Sequence, residues 1–250
     1  MIRLLYTESD TGSSPVSGTK MYAGVAQLVE HHVANVNVRS SSLLTRSKIM
    51  KYEIIEDCSP YYIRFTYDGM SEFIKYAQDV YDNFSWENDL STFRHLMLPI
   101  LNGKDILSKT PLATDLFLNE KRVSYFYTPP NFYYRAHKDG LTHRYSINYT
   151  IKVLDNNCIT SWYDDDIELS YKKEYLSGTS RELDGFVKEN HTPVKTMVAQ
   201  PNECILFNTD IYHDWDNRNS SNERVVLTLR ATMPARVYYN DVKQILFKGQ

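Results

Sequence analysis

Cysteine is scarce in this chain: Cys58, Cys158 and Cys204 are the whole supply. No two of them form a CxxC pair, which excludes a zinc ribbon and leaves no basis for a disulfide framework. A reducing, cytoplasmic interior is the compartment this composition expects. The 250 residues contain no run of 18 apolar residues, so no helix long enough to span a membrane is expected. A dominant charge is missing too. Lys and Arg number 28 against 31 Asp and Glu, a net charge of −3. That balance gives no electrostatic reason for nucleic acid as the main partner. Apolar residues at 42% and charged residues at 24% rule out wholesale disorder. Aromatics are what the chain has in quantity: 20 Tyr, 10 Phe and 3 Trp. Tyrosine suits half-buried strands and the walls of wet cavities.

The composition shifts near residue 50. Residues 1–49 hold only Tyr6 and Tyr22 as aromatics and are rich in serine. Residues 1–20 lack the apolar core of a secretory signal peptide. The stretch AGVAQLVEHHVANVNVRSSSLLTRS reads like the peptide obtained when a reading frame crosses a transfer-RNA gene. Residues 1–49 are therefore expected to be a disordered or spurious extension, with Met50 as the true start and His31 and His32 non-functional. Residues 50–250 are expected to form one domain, long enough for a sizeable core.

Within that domain, KYEIIED and YYIRFTY read as short strands around Ser59-Pro60. Phe73, Ala77, Val80, Tyr81 and Phe84 recur at helical spacing and predict a helix over 70–84. Leu90, Phe93, Leu96, Met97, Ile100 and Leu101 suggest a second helix ending near Pro99, with His95 as a packing residue. A third, about 111–119, starts at Pro111. Beyond Lys121 the pattern turns to strands: RVSYFYT, NFYYRA, RYSINYTIKV, NCITSWY, VKTMVA, ECILFN and ERVVLTLRA. Helices followed by many short strands predict a mostly β domain, with N-terminal helices supporting an antiparallel sandwich or barrel. The charged connection 164–191 is long and reads as a lid or binding loop.

NFYYRA runs into His137-Lys138-Asp139. Side chains i and i+2 share a face of a strand, so an imidazole and a carboxylate project together. They are two of the three ligands of a 2-His-1-carboxylate triad, the set typical of non-heme Fe(II) oxygenases. His213, after ECILFNTDIY, is the candidate third. HxD alone is a weak signal, and a strand-end turn is its bland reading. The next strand adds weight. Arg224, Val226, Thr228 and Arg230 share one face, while Val225, Leu227 and Leu229 share the other. A buried guanidinium needs a partner, and an anion held in its fork supplies one.

With HxD, a distal His and a following Arg, residues 122–232 resemble the 2-oxoglutarate/Fe(II)-dependent dioxygenase superfamily. HKDG…HRYSINYTIKV and PNECILFNTDIYHDWDN…ER look most like its prolyl-hydroxylase and aspartyl/asparaginyl-hydroxylase branches. The resemblance implies a double-stranded β-helix, a jelly-roll of cupin-like form. It makes His137, Asp139 and His213 the iron ligands and Arg224 the clamp on the distal carboxylate of 2-oxoglutarate. Tyr127 and Tyr149 stand nearest to the tyrosines with which prolyl hydroxylases flank the motif, although Tyr149 shares the apolar parity of Ile147 and Ile151, so core packing is its equal alternative. Fe(II), 2-oxoglutarate and O2 are then the implied reactants, and the reaction is hydroxylation of a C–H bond. An amino-acid side chain, free or in a peptide, is the implied substrate. Arg230 is left for a structural ion pair or a rim role.

RVVLTLR also resembles the R…NLTFR strand of alkylated-nucleobase demethylases, but Val226 replaces its Asn. With the negative net charge, that ranks nucleic-acid repair lower. A metal-free binding barrel and a cupin-like enzyme without 2-oxoglutarate remain the alternatives. Arg144, Asn148, His143, His191 and the Asp164–Asp166 run read as solvated or structural. Trp162 and Trp215 are left between pocket lining and packing, and Cys158 and Cys204 read as small core residues.

Overall fold

The computed structural model describes residues 52–84, 91–116, 118–139, 144–164, 185–186, 191–231 and 238–248. Residues 1–49 and most of the 164–191 connection lie outside these.

The expected first hairpin is present as β1 (Tyr52–Cys58) and β2 (Tyr62–Tyr67), paired antiparallel. Helix α1 (Met70–Asp82) follows Gly69 at φ 85, a left-handed turn glycine adopts without steric cost. Its apolar spacing buries Met70, Phe73, Ile74, Ala77 and Tyr81 along one stripe.

The second expected helix is wrong in its first half. Arg94–Met97 is a strand, β3, paired with the segment that becomes β4. Helix α2 begins only at Ile100, with Pro99 as its N-cap rather than its end. The apolar spacing mimics a helix, but an edge strand that alternates against a neighbour satisfies it equally, and pairing decides. Helix α3 (Leu112–Asp115) has Pro111 as its N-cap rather than its first residue and is shorter than expected, because Leu118 and Asn119 belong to β4. At Gly103 of α2 an added Cβ would lie 2.1 Å from the Glu120 carbonyl oxygen. Gly103→Ala is therefore expected to force α2 off β4 and lower stability by about 1–3 kcal/mol. Urea unfolding checks it, and an unchanged midpoint would show that the helix shifts freely.

The strands continue as β4 (Leu118–Thr128), β5 (Tyr133–His137), β6 (Ser146–Lys152), β7 (Ile159–Tyr163) and β8 (Gly185–Phe186). Then come β9 (Lys195–Val198), β10 (Cys204–Phe207), β11 (Tyr212–Asp216) and β12 (Arg224–Ala231), closed by helix α4 (Tyr239–Phe247). Among the described residues they form two sheets, β1-β2-β10-β6-β12-β4-β3 and β8-β5-β11-β7-β9. Every pairing is antiparallel. Strands β4 to β7 alternate between the sheets, as do β9 to β12, the winding of a double-stranded β-helix, or jelly roll. The fold class read from the sequence is therefore the observed one.

The major sheet turns one face to the helices and the other to the minor sheet. Val225, Leu227 and Leu229 lie on the helix side with Ile147, Tyr149, Val123 and Tyr125 in the main core. The Tyr125 hydroxyl donates to the Ala77 carbonyl of α1 at 2.6 Å. Alternation then sends Arg224, Thr228 and Arg230 to the interior.

Candidate metal centre

His137 ends β5, where a bulge sets its direction. His213 faces His137 and Trp215 faces Tyr134, so β5 spends one more residue than β11 between the pairs. The extra residue turns Tyr134 and His137 to the same side, with their rings edge-to-face at 4.8 Å. Asp139 follows, fixed by its backbone N–H donating to the Thr209 carbonyl at 3.2 Å. His213 lies within β11, a strand not anticipated from the sequence, and its ring is 4.7 Å from that of His137.

One donor atom from each of His137, Asp139 and His213 lies within 4.8 Å of the other two. His137 Nε2 is 3.4 Å from Asp139 Oδ1. Neighbouring donors on a metal with bonds of about 2.1 Å stand roughly 3 Å apart, so the set fits one ion with little adjustment. Both imidazoles are oriented for it. Nδ1 of His137 bonds the Arg135 carbonyl and Nδ1 of His213 the Ile211 carbonyl, each at 2.8 Å. A carbonyl only accepts, so each Nδ1 carries the proton and each Nε2 keeps its lone pair for a metal.

The charges agree. Burial, then the neighbouring His137, pushes the His213 imidazole down to about 4, so it is neutral at pH 7. Burial alone would raise the Asp139 carboxyl, but Arg230 first and the two histidines after it hold it well below the usual carboxylate range. Arg230 Nη2 donates to Asp139 Oδ2 at 3.2 Å. This is the ion pair expected of Arg230, and its partner is a member of the triad.

Arg224 lies at the other end of β12's inward face and is 5% exposed. Its Nη1 donates to Thr160 Oγ1 on β7 at 3.0 Å. Burial lowers its pKa, while Cys158 and Glu203 nearby favour the charged form. Its Nε is buried without a hydrogen-bond partner. Trp215 lies between the two centres, 5.9 Å from the Arg224 guanidinium and 6.4 Å from the His137 ring. Between Arg224 and Arg230, Ser124, Thr228 and Asn148 stand side by side on three paired strands. Ser124 Oγ and Asn148 Oδ1 are also buried without a partner. Buried polar atoms left in that state are costly, and a polar ligand inside the barrel would relieve all of them.

Other expectations shift. Tyr149 and Tyr127 do not face the interior. The Tyr149 hydroxyl bonds that of Tyr67 at 2.9 Å, its ring packs on Phe73, and Tyr127 belongs to the same helix-side core. A direct co-substrate contact by either tyrosine is therefore corrected. Parity is the reason: the inward residues of β4 and β6 are Ser124, Phe126, Thr128, Asn148 and Thr150, and the odd-numbered tyrosines alternate away. Asn148, read as structural, is one of the inward groups. Arg144 pairs with Asp210 at 2.5 Å and is not at the centre. His95 is exposed, its ring stacked on Phe126 at 4.3 Å. Trp162 packs on Tyr62 and Phe207, whereas Trp215 sits at the site. Cys158 and Cys204 are buried. Asp164 is exposed, and His143, Asp165 and Asp166 lie outside the described residues. Of the 164–184 and 187–190 stretches little is described, but Gly185 pairs with His137 and Phe186 with Ala136.

No helix among the described residues is long and apolar enough to cross a membrane. No protein-family model and no curated protein sequence matches the chain. Solved structures do. The epimerase SnoN, in complex with Fe3+, alpha ketoglutarate and nogalamycin RO, matches with a TM-score of 0.43 and 9% identity, over 68% of this chain and 78% of that one. EvdO2 from Micromonospora carbonacea var. aurantiaca, complexed with 2-oxoglutarate, matches with a TM-score of 0.43 and 13% identity, over 65% and 82%. HygX from Streptomyces hygroscopicus, with nickel and 2-oxoglutarate bound, matches with a TM-score of 0.42 and 10% identity, over 69% and 83%.

Proposed function

We propose that this chain is a mononuclear Fe(II) dioxygenase that takes 2-oxoglutarate as co-substrate and hydroxylates a C–H bond. The carrying observation is the convergence of His137, Asp139 and His213 within 4.8 Å, with both imidazole Nδ1 atoms already committed to carbonyls. Such a triad leaves one face of an octahedral ion open. Bound together, iron, 2-oxoglutarate and O2 supply the oxidative chemistry, with succinate and CO2 as by-products.

The chain's own part is binding and orientation. Arg230 keeps Asp139 ionised and aimed. Arg224, a buried cation with a hydroxyl for its side-chain partner, receives the distal carboxylate. That anion compensates the charge which burial otherwise leaves exposed to a low dielectric. Ser124 and Asn148 offer polar contacts along the path between them. The sequence resemblance brings an amino-acid side chain, free or in a peptide, as the substrate class.

Anaerobic titration with Fe(II) and 2-oxoglutarate tests the reading. A metal-to-ligand charge-transfer band is expected to grow to one equivalent and to be absent when succinate replaces 2-oxoglutarate. No band with both present would leave a binding barrel as the better account.

A further inference from the structure

A second feature of the interior is aromatic. Phe126 on β4 and Trp215 on β11 are 5.0 Å apart, edge to face. Phe93, just before β3, reaches both, with ring centroids 6.0 Å from Phe126 and 5.6 Å from Trp215. Tyr134 on β5 stacks on Phe93 at 4.3 Å and 22°. Phe132 lies on Phe93 at 6.1 Å and 14°. The group bridges the β3–β4 edge of the major sheet to β5 and β11 of the minor sheet.

Two properties separate it from ordinary packing. Phe93, Phe132 and Tyr134 remain only half-buried, although large rings on a closed core would be covered. The group also ends on the metal centre. Tyr134 touches His137, and the Arg230 guanidinium that holds Asp139 lies 5.3 Å over Phe126. A partly exposed aromatic wall therefore leads from the surface to the triad. Its outer rings come from separate positions yet stack near-parallel on Phe93, Phe132 at 14° and Tyr134 at 22°.

We infer that this wall is the substrate site, and that the substrate presents a flat unsaturated ring, packed against this ring stack, beside the carbon to be oxidised. The inference rests on the oxygenase reading for its chemistry but not for its binding. Near-parallel rings set the orientation of a planar guest, because offset stacking favours a matching π face. A saturated ring of the same skeleton buries comparable area but has no π face, and its axial hydrogens hold it off the wall.

Calorimetric titration of the full chain with 2-naphthol and with decahydro-2-naphthol tests this. The aromatic probe is expected to bind about tenfold tighter. Phe93→Leu keeps an apolar side chain on a partly exposed edge and removes the ring. It should erase most of that preference, weakening 2-naphthol far more than decahydro-2-naphthol. Equal binding of the two probes, or a preference that survives Phe93→Leu, overturns the inference. The iron and 2-oxoglutarate titration of the unaltered chain separates the two claims. A normal charge-transfer band with no ring preference sinks the aromatic wall alone. A missing band in the unaltered chain with ring preference intact sinks the oxygenase reading alone.

Discussion

Asp139→Ala is expected to abolish 2-oxoglutarate turnover and to remove Fe(II) binding at this centre. The loss should exceed the roughly 10- to 100-fold that follows from removing an outer partner of a metal ligand. Two histidines remain, but the carboxylate is the only anion of the set. Without it the ion meets the Arg230 guanidinium, whose Nη2 now lies 3.2 Å from Asp139 Oδ2. The substitution therefore removes the anion that stands between a guanidinium and a dication. The same reasoning predicts a change without metal. Arg230 is 9% exposed, and removing one partner of a mostly buried ion pair costs about 3–5 kcal/mol. The metal-free variant should melt lower than the metal-free parent. Asp139→Asn, which keeps the shape and a hydrogen-bond acceptor, should recover part of that stability but not the iron. Substantial turnover in Asp139→Ala would mean that the carboxylate is not the required ligand.

Much of this centre could be read from side-chain parity. The alternation in RVVLTLR is borne out: Val225, Leu227 and Leu229 join the helix-side core, while Arg224 and Arg230 reach Thr160 and Asp139 inside. The HxD spacing also holds, because His137 ends a strand and Asp139 is anchored just beyond it. His213 was found without its strand. DWDN reads as a polar turn, yet Asp214 is fully buried. It accepts from the Tyr163 hydroxyl at 2.6 Å, the Tyr133 hydroxyl at 3.1 Å and the Ser161 N–H at 3.0 Å. Those partners come from two other strands, and no local pattern announces them. The alternation of His213 and Trp215 against Tyr212 and Asp214 was the available signal.

The tyrosines failed for the opposite reason. The resemblance offers Tyr127 and Tyr149 by their distance from HxD, and a count of residues does not say which face a strand residue takes. For Tyr149 the shared parity with Ile147 and Ile151 leaves core packing as the equal alternative, and core packing is what the structure has. The odd parity of Val123, Tyr125 and Tyr127 already pointed to the helices. Helix α4 is absent from the sequence reading although its buried Tyr239, Val242, Leu246 and Phe247 stand at helical spacing, because four positions in so short a segment make a weak period.

The two arginines of β12 should separate by experiment. They stand six residues apart, about 20 Å between Cα atoms at 3.3 Å per residue, and their surroundings differ in kind. Arg230 already has a carboxylate. Arg224 has a hydroxyl, a buried Nε without a partner, and Glu203 only as a more distant charge. In the proposed reading, Arg224 is thus the guanidinium that an incoming anion would pair with. Arg224→Lys retains the positive charge but loses the planar fork. The 2-oxoglutarate requirement should rise about 10- to 150-fold, the equivalent of a charged hydrogen bond worth about 1.5–3 kcal/mol. Fe(II) affinity should hardly move. Arg230→Lys should behave in reverse. Its ammonium can still neutralise Asp139 but aims it less rigidly, so iron affinity should fall by about 10- to 100-fold. At saturating iron the 2-oxoglutarate requirement should stay close to that of the parent. Steady-state titrations of each component at saturating levels of the other resolve the two effects, and thermal melts confirm that both variants fold. The opposite ranking would place the distal carboxylate on Arg230. It would also strengthen the resemblance to nucleobase demethylases over the one to amino-acid hydroxylases.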